Sequence, residues 1–194
     1  MDREKLLAAV KQQVTDHRYQ HILGVMETSI QLARQYGANE KKAEIAAILH
    51  DYCKFWPEDK LRKIIKRTPQ IPKDLLDYDK ELWHAPVGAE VAKQELGIQD
   101  EKILNAIRYH TSGRERMKKL EKVVCLADYI EPNRIFPGVE ELRELAKQDM
   151  DAALIKAFGN TITFLVNRGK KVYPLTVMAR NSLLSEKNAI RRTD

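Results

Sequence analysis

Apolar residues recur three and four positions apart along almost the whole chain, which is the pattern of amphipathic α-helices. In the segment 19–36, for example, apolar side chains fall on one helical face before Gly37 ends the segment. The sequence lacks runs of alternating β-branched residues between hairpin turns, which are typical of strands. It therefore predicts an all-α fold, built as a helical bundle.

Capping residues, glycines and prolines divide the chain into separate predicted helices. Asn39 and Asp100 are placed to cap helix N-termini, and Gly113 is placed to end a helix. Pro86 lies inside one predicted helix and should disturb or restart it. The predicted helices run from the N-terminus through Val14, over 19–36, from Asn39 to the His50-Asp51 pair, from Pro57 to near Arg67, from Asp79 through His84 to Leu96, over 101–110, 119–130, 139–148 and 149–167, and from Pro174 onward.

The length of 194 residues fits one domain, which we expect to span residues 1–194. Hydrophobic residues make up 43% of the chain and charged residues 32%, a globular balance that argues against disorder. The longest apolar runs are too short to cross a bilayer, and the N-terminus lacks the apolar stretch of a signal peptide. These features predict a cytoplasmic protein with no membrane partner.

Cys53 and Cys125 are the only cysteines, and each lies in an apolar helical stretch. This setting predicts reduced core thiols rather than a disulfide or a cysteine metal site. The net charge of +6 favours an anionic partner, for which a nucleotide and a nucleic acid both qualify. The basic segment 60–67 is interpreted as a solvated helix face, because it also carries an apolar stripe of Leu61, Ile64 and Ile65.

Histidines and aspartates are spread over the predicted helices in a way that suggests a metal site. Four of the five histidines lie on or at the ends of different helices, and two aspartates accompany them: His21, His50, His84, His110, Asp51 and Asp128. Neutral imidazole and carboxylate groups supply the lone pairs that a buried divalent metal requires, while helices fix their directions. Each of these histidines alone is better explained as a core or surface group, but the set predicts a metal centre.

Five local strings sharpen this interpretation: RYQHILGV from Arg18, ILHDYCK from Ile48, HAPVGAEVA from His84, YHTSG from Tyr109 and ADYIEPNR from Ala127. Together they resemble the HD superfamily of metal-dependent phosphohydrolases. Within it they look like the YqeK branch, the symmetrical bis(5'-nucleosyl)-tetraphosphatases. The resemblance covers nearly the whole chain, and its departures are Cys53, where a small residue is usual, and Ser112, where a second Thr is common.

The resemblance implies an HD-domain helical bundle that forms one metallohydrolase domain. It assigns a divalent transition metal to His21, His50, Asp51 and Asp128, with iron as the implied metal. Ligand softness alone would also allow manganese, cobalt, nickel or zinc. His17 lies four residues before His21, but the family pattern uses only the second histidine of this pair, so His17 is interpreted as peripheral.

The resemblance also implies roles for residues around the metal. Asp51, His84 and His110 are the expected catalytic residues. The two histidines either complete a second metal position or donate hydrogen bonds to phosphate and protonate the leaving group, so the number of ions stays open. The expected substrate-binding residues are Arg18, His21, Asp51, Lys54, His84, His110, Thr111, Asp128, Arg134, Tyr173 and Pro174.

Among these substrate-binding residues, the basic side chains should clamp the phosphates, since a tetraphosphate bridge carries several negative charges. These side chains are Arg18, Lys54 and Arg134. Thr111 should add a hydroxyl group, and Tyr173 with Pro174 should lie near the nucleoside. The expected reaction is hydrolysis of diadenosine tetraphosphate at a β-type phosphorus, which yields two ADP.

Three other functions are weighed against this one. Another HD nucleotide phosphohydrolase, either a deoxynucleoside monophosphatase or a phosphodiesterase, would share the metal site. A non-enzymatic nucleotide-binding sensor would need no water-activating metal, which the complete ligand set argues against. A nucleic-acid-binding protein is disfavoured, because the charges are spread along the chain and no helix-turn-helix, zinc-finger or aromatic RNA motif is present. A homodimer is left open.

Overall fold

The computed structural model describes residues 2–190 of the chain, with the backbone alone described at residue 190. Within this range the chain forms ten α-helices, two short 3₁₀ helices and no strand, which confirms the predicted all-α fold. The α-helices are α1 (Arg3–Lys11), α2 (Asp16–Tyr36), α3 (Glu40–Leu49), α4 (Glu58–Arg67), α5 (His84–Gln94), α6 (Glu101–Arg108), α7 (Lys119–Ile130), α8 (Val139–Gln148), α9 (Met150–Asn167) and α10 (Pro174–Ile190). The 3₁₀ helices are Lys73–Asp77 and Lys80–Leu82.

Helix boundaries follow the capping residues of the sequence. The Asn39 side chain accepts the backbone N–H of Lys42 at 2.9 Å and starts α3, and Asp100 caps α6 in the same way. Gly37 ends α2 in the left-handed conformation, with φ of 65°. The predicted bounds of α7 and α8 agree with the structure.

Several predicted boundaries are wrong, and each has a local reason. α1 ends at Lys11 rather than Val14, and α2 begins at Asp16 because the Thr15 side chain caps it. α6 ends at Arg108, two residues before His110.

The helix predicted from Asp79 instead begins at His84, after a 3₁₀ turn over Lys80–Leu82. Pro86 leaves this helix undisturbed, since it lies in the first turn, where a missing N–H removes no intrahelical hydrogen bond.

The central helices of the bundle are α2, α3 and α7, which pack on one another. Every residue of α3 from Ala43 to Leu49 is buried. α6 packs on α3, α5 and α7, whereas α9 packs on α7, α8 and α10. The described helices share one apolar core, and the ends of α3, α5 and α6 meet beside α2 and α7.

One buried charge in this core is neutralised locally. Glu44 on α3 is 3% exposed and forms ion pairs with Arg3 and with Lys41, the latter at 2.5 Å. Burial raises the pKa of Glu44, but the two cations outweigh it and hold the pKa below its ordinary value. The contact with Arg3 joins α1 to α3, whereas the contact with Lys41 lies within α3.

Cys53 and Cys125 are buried free thiols, which confirms their predicted state. Burial raises the pKa of both thiols, so they stay protonated at neutral pH. The apolar stripe of α4, formed by Leu61, Ile64 and Ile65, is also buried as predicted. No helix within residues 2–190 is both long and apolar enough to span a membrane.

Gly113 lies between α6 and α7 with φ of +64°, and a Cβ atom there would lie 2.7 Å from both Ala179 Cβ and Phe158 Cζ. Gly97 has φ of +69°, and a Cβ atom there would meet nothing within 4 Å, so it provides a matched control. We expect Gly97→Ala to lower the free energy of unfolding by about 1 kcal/mol through backbone strain. Gly113→Ala should lower the free energy of unfolding by about 1–3 kcal/mol more than Gly97→Ala does, because its methyl group also overpacks the core. Urea unfolding of both variants checks this, and equal losses would contradict it.

Candidate active site

Six polar side chains from separate parts of the chain meet at one buried point: His21, His50, Asp51, His84, His110 and Asp128. His21 lies on α2 and Asp128 on α7, while the other four lie at helix ends or just beyond them. The four histidines and Asp51 are at most 4% exposed. We call this set the His/Asp cluster. His17, interpreted as peripheral, is exposed and lies outside it.

Asp51 is at the centre of the cluster. Its Oδ2 atom lies 3.3 Å from His50 Nε2 and 3.7 Å from His21 Nε2. Its Oδ1 atom lies 2.9 Å from His84 Nε2 and 3.8 Å from His110 Nε2. The two carboxylate oxygens of Asp51 therefore face different pairs of histidines.

Hydrogen bonds on the far side of the rings fix the state of three histidines. His50 Nδ1 donates to the carbonyl oxygen of Ala47 at 2.6 Å, and His110 Nδ1 donates to that of Ile107 at 2.8 Å. His21 Nδ1 donates to Glu131 Oε1 at 2.9 Å. Since each Nδ1 carries the hydrogen, each Nε2 presents a lone pair to the centre of the cluster.

These lone pairs face other lone pairs. His21 Nε2 lies 3.0 Å from Asp128 Oδ1, yet it has no hydrogen to donate to that oxygen. Among the described residues, the buried Nε2 atoms of His21 and His50 have no hydrogen-bond partner. Buried acceptors that converge in this way are unfavourable unless a cation lies between them. The residues present therefore fit a divalent metal ion.

Three groupings within the cluster have ligand atoms that all lie within 4.8 Å of one another. One is His21, His50 and Asp51, beside which Asp128 stands; a second is Asp51, His84 and His110; the third is His50, His110 and Asp128. His50, Asp51 and His110 each belong to two of the three groupings. Of these, Asp51 has two ligand oxygens, one facing His50 and one facing His84, so its carboxylate can serve two positions at once.

The electrostatics of the cluster favour ionised carboxylates. Burial raises the pKa of Asp51, but positive charge at the adjacent His50 and His84 rings outweighs it and holds the pKa well below its ordinary value. A cation bound by these rings in place of a proton would act in the same direction. Burial also raises the pKa of Asp128, and the guanidinium of Arg134 outweighs it to the same effect. Both groups are thus acceptors at neutral pH, as metal ligands must be.

The histidines of the cluster differ in their proton affinity. Burial, together with the charges of His50 and His84, lowers the pKa of His110 to about 3, and burial also lowers the pKa of His84. For His50, burial lowers the pKa, but the Asp51 carboxylate outweighs it and the net direction is upward. The negative surroundings that favour a proton on His50 equally favour a metal cation beside it.

The structure brings two of the three predicted phosphate clamps to the cluster. Arg18 Nη1 lies 3.0 Å from Asp51 Oδ2. Arg134 Nε donates to the backbone oxygen of Asp128 at 2.7 Å, and Nη2 donates to its carboxylate. Lys54 instead pairs with Glu81, which is itself largely exposed, at 2.8 Å. The Lys54 side chain is 17% exposed and that of Glu81 is 63% exposed, so water competes for the Glu81 carboxylate and Lys54 remains available to another anion.

A cavity of about 340 Å³ lies beside the cluster, since its lining includes Thr111, next to His110, and Pro86, two residues after His84. Tyr173, which is buried, also lines the cavity. Its ring packs edge-on against Tyr78, with centroids 4.9 Å apart. Pro174 begins α10, is exposed and is not among the lining residues.

Glu131 also belongs to the site, although neither the helical pattern nor the family resemblance indicates a role for it. It is 1% exposed and accepts the hydrogen bond from His21 Nδ1. Periodicity could not identify it, because it lies in the segment 131–138, between the predicted helices over 119–130 and 139–148. The one signal in the sequence is its place in the string ADYIEPNR, three residues after Asp128.

The HD domain matches residues 18–133 of this chain, a range that includes the whole His/Asp cluster. The chain is 56% identical to a symmetrical bis(5'-nucleosyl)-tetraphosphatase of Bacillus subtilis (strain 168), over 95% of this chain and 99% of the relative. It is 39% identical to a protein of the same name from Staphylococcus aureus (strain NCTC 8325 / PS 47), over 93% of this chain and 94% of the relative.

A crystal structure of a predicted HD superfamily hydrolase involved in NAD metabolism, from Clostridium acetobutylicum, is also similar. It is 38% identical in sequence, superimposes with a TM-score of 0.91, and the match covers 96% of this chain and 98% of that one. The HD-domain match over residues 18–133, together with the near full-length similarity to these relatives, establishes the family of this chain. The chain belongs to the HD-domain family, in the group that contains the symmetrical bis(5'-nucleosyl)-tetraphosphatases.

Proposed function

We propose that this chain is a metal-dependent phosphoanhydride hydrolase that cleaves diadenosine tetraphosphate symmetrically into two ADP. The observation that carries the proposal is the buried His/Asp cluster, with the unpartnered Nε2 atoms of His21 and His50 aimed at its centre. The names of relatives at 56% and 39% identity supply the substrate.

His21, His50, Asp51 and Asp128 are the proposed metal ligands, and iron is the proposed metal. The grouping of Asp51, His84 and His110 supports a second ion, with Asp51 shared between the two positions. A divalent ion bound here supplies a Lewis acid for a phosphoryl oxygen and lowers the pKa of a water from 15.7 to roughly 7.

The catalytic residues of the proposal are Asp51, His84 and His110. The Nε2 atoms of the two histidines lie 3.1 Å apart, and both face Asp51 Oδ1. They therefore act at the same point as the shared carboxylate. A neutral His110, whose hydrogen is on Nδ1, offers a lone pair at Nε2 and can serve there as a ligand. A neutral His84 can serve either as a ligand or, with its hydrogen on Nε2, as a donor to a phosphate oxygen.

Arg18 and Arg134 are the proposed phosphate clamps at the edge of the cluster, with Lys54 as a third cation. The guanidinium side chains are 20% and 34% exposed, so each keeps a face open to an entering anion. Symmetrical cleavage requires the cluster to lie over the middle of the tetraphosphate bridge. Fixed cations on α2 and on the segments that follow α3 and α7 would hold the bridge in that register.

The cavity lined by Thr111 and Tyr173 is the proposed position of one nucleoside. It lies beside His84 and His110, so a nucleoside bound there would direct its phosphates toward the cluster. Its lining combines apolar side chains with a few polar groups, as nucleoside pockets do. Pro174 does not line the cavity, so its proposed contribution to nucleoside binding is indirect, through its neighbour Tyr173.

We also propose that the chain acts as one domain over residues 1–194, in the cytoplasm, without a nucleic-acid partner. Packing of α8 on α7, and of α9 on α7, α8 and α10, supports the continuity of the domain beyond the HD match. The homodimer stays a prediction, which size-exclusion chromatography with light scattering would test.

With metal loaded under anaerobic conditions, the protein should convert diadenosine tetraphosphate to ADP as sole product. Asp51→Ala and Asp128→Ala should each lower turnover by more than about 100-fold, beyond the loss typical of an outer-shell residue. Asp59→Ala, on the exposed face of α4, is the control and should keep full turnover. Separation of AMP, ADP and ATP by chromatography measures the products.

AMP and ATP as products would overturn symmetrical cleavage. Release of a nucleoside from a deoxynucleoside monophosphate, without hydrolysis of diadenosine tetraphosphate, would favour another HD phosphohydrolase. Bound metal with no turnover of any of these nucleotides would favour a sensor.

Filling the cavity should weaken nucleotide binding without disturbing the metal. Leu175 lines the cavity, so Leu175→Trp should raise the dissociation constant of ADP by about tenfold or more, because the indole takes the space of the base. Val177→Trp is the matched control, two residues further along α10 and 37% exposed. Calorimetric titration with ADP, combined with metal analysis, makes the measurement. Equal binding by the two variants would place the nucleoside elsewhere.

A further inference from the structure

Glu131 is a buried carboxylate with two hydrogen-bond donors. It follows the last residue of α7 and is 1% exposed. Its Oε1 atom accepts from His21 Nδ1 at 2.9 Å, and its Oε2 atom accepts the backbone N–H of Asn133 at 2.7 Å. Both oxygens of this carboxylate are therefore engaged, one by a proposed metal ligand and one by the loop backbone.

Gly24 provides the space for this carboxylate. It lies on α2, three residues after His21, and so on the same side of the helix. A Cβ atom at this position would lie 2.4 Å from Glu131 Oε2 and 3.2 Å from Glu131 Cδ. Helix α2 thus carries both the histidine and the gap that admits its hydrogen-bond partner.

We infer that Glu131 is a positioning residue for the metal centre, and that Gly24 is required for it to act. The Glu131 carboxylate holds His21 with its hydrogen on Nδ1 and directs the Nε2 lone pair toward Asp51 and Asp128. The inference rests on the proposed metal site and adds a residue to it that touches neither metal nor substrate.

The Nδ1 atom of His21 donates to a side chain, whereas the Nδ1 atoms of His50 and His110 donate to the backbone. His50 and His110 donate to carbonyl oxygens three residues earlier, which no substitution removes. Of these three histidines, only His21 has an Nδ1 partner that a mutation can change. A substitution at Glu131 can therefore change the orientation of His21 without altering any proposed metal ligand.

Only a carboxylate satisfies both donors. A glutamine at this position offers one acceptor oxygen and one NH₂ group. If its oxygen faces His21, its NH₂ group opposes the N–H of Asn133. If its NH₂ group faces His21, the His21 ring accepts at Nδ1 and carries its hydrogen on Nε2. The Nε2 atom then has no lone pair to offer to a metal ion.

The first experiment measures cobalt(II) affinity, by absorption titration of the metal-free protein, in Glu131→Gln. We expect the dissociation constant to rise about 10- to 100-fold, the range for outer-shell partners of a metal ligand. Glu44→Gln is the control, because it also removes a buried carboxylate from an ion-paired site, six residues before His50 on the chain. Glu44→Gln should lower the melting temperature of the metal-free protein and leave cobalt affinity unchanged.

Gly24→Ala approaches the same contact from the other side and should weaken cobalt binding to a similar degree. Gly88→Ala is its control, since a Cβ atom there meets only ordinary contacts, 3.7 Å from Ile107 Cγ2 and 3.8 Å from the His50 carbonyl oxygen. In a Glu131→Ala background, Gly24→Ala should cost no further affinity, because the oxygen it displaces is gone.

Cobalt affinity within about twofold of wild type in both Glu131→Gln and Gly24→Ala would overturn the inference, as would full additivity of Gly24→Ala and Glu131→Ala. Should Glu131→Gln fail to fold, Gly24→Ala with its Gly88→Ala control carries the test. A wild-type protein that binds no cobalt(II) would instead refute the proposed metal site itself, and the inference with it. The two failures are thus distinguishable.

Discussion

The rest of the structure depends on the burial of one carboxylate among four imidazoles. Asp51 is 2% exposed and faces His21, His50, His84 and His110 within 3.8 Å. Burial of an ion is costly unless its partners compensate it, and here three of the rings present lone pairs instead of hydrogens. The arrangement becomes favourable when a cation occupies the centre. Holding a site for a charged ligand therefore lowers the stability of the metal-free bundle.

Helix ends make this burial achievable. The last turn of an α-helix leaves carbonyl oxygens without an intrahelical partner. At the ends of α3 and α6 the carbonyl groups of Ala47 and Ile107 accept from His50 Nδ1 and His110 Nδ1. Each contact satisfies a polar backbone group and sets the direction of a ring. The same geometry thus closes two helices and orients two of the site's histidines.

The sequence was sufficient to predict the ten α-helices of the described chain and the six residues of the cluster, but not the two 3₁₀ helices. Helical periodicity and capping residues such as Asn39 act locally, so they fixed α3, α7 and α8 closely. The start of α5 was wrong, because a proline in the first turn of a helix and one inside it look alike until the boundary is known. Periodicity and capping residues therefore predict where a helix lies, because both depend on neighbours within a few positions of the chain.

The arrangement around the cluster was less accessible to prediction. The contact of Glu131 with His21 joins residues 110 positions apart, and the need for Gly24 arises only once α2 lies beside the loop after α7. Lys54 also shows this limit, since its nearest partner is Glu81, a pairing that sequence spacing does not indicate. Ligand types can be recognised in a sequence, but the residues that orient them require the packed structure.

Charge balance links metal binding to substrate binding at this site. Asp51, Asp128 and Glu131 place three carboxylates around the cluster, and Arg18 and Arg134 place two guanidinium groups against two of them. With neutral histidines, and with Lys54 balanced by Glu81, the carboxylates exceed the cations by one. A polyphosphate, itself strongly anionic, would meet net repulsion there, whereas one divalent ion reverses the sign and a second makes the site strongly positive. An anionic substrate should therefore bind tightly only after the metal, and its phosphates should in turn strengthen metal binding.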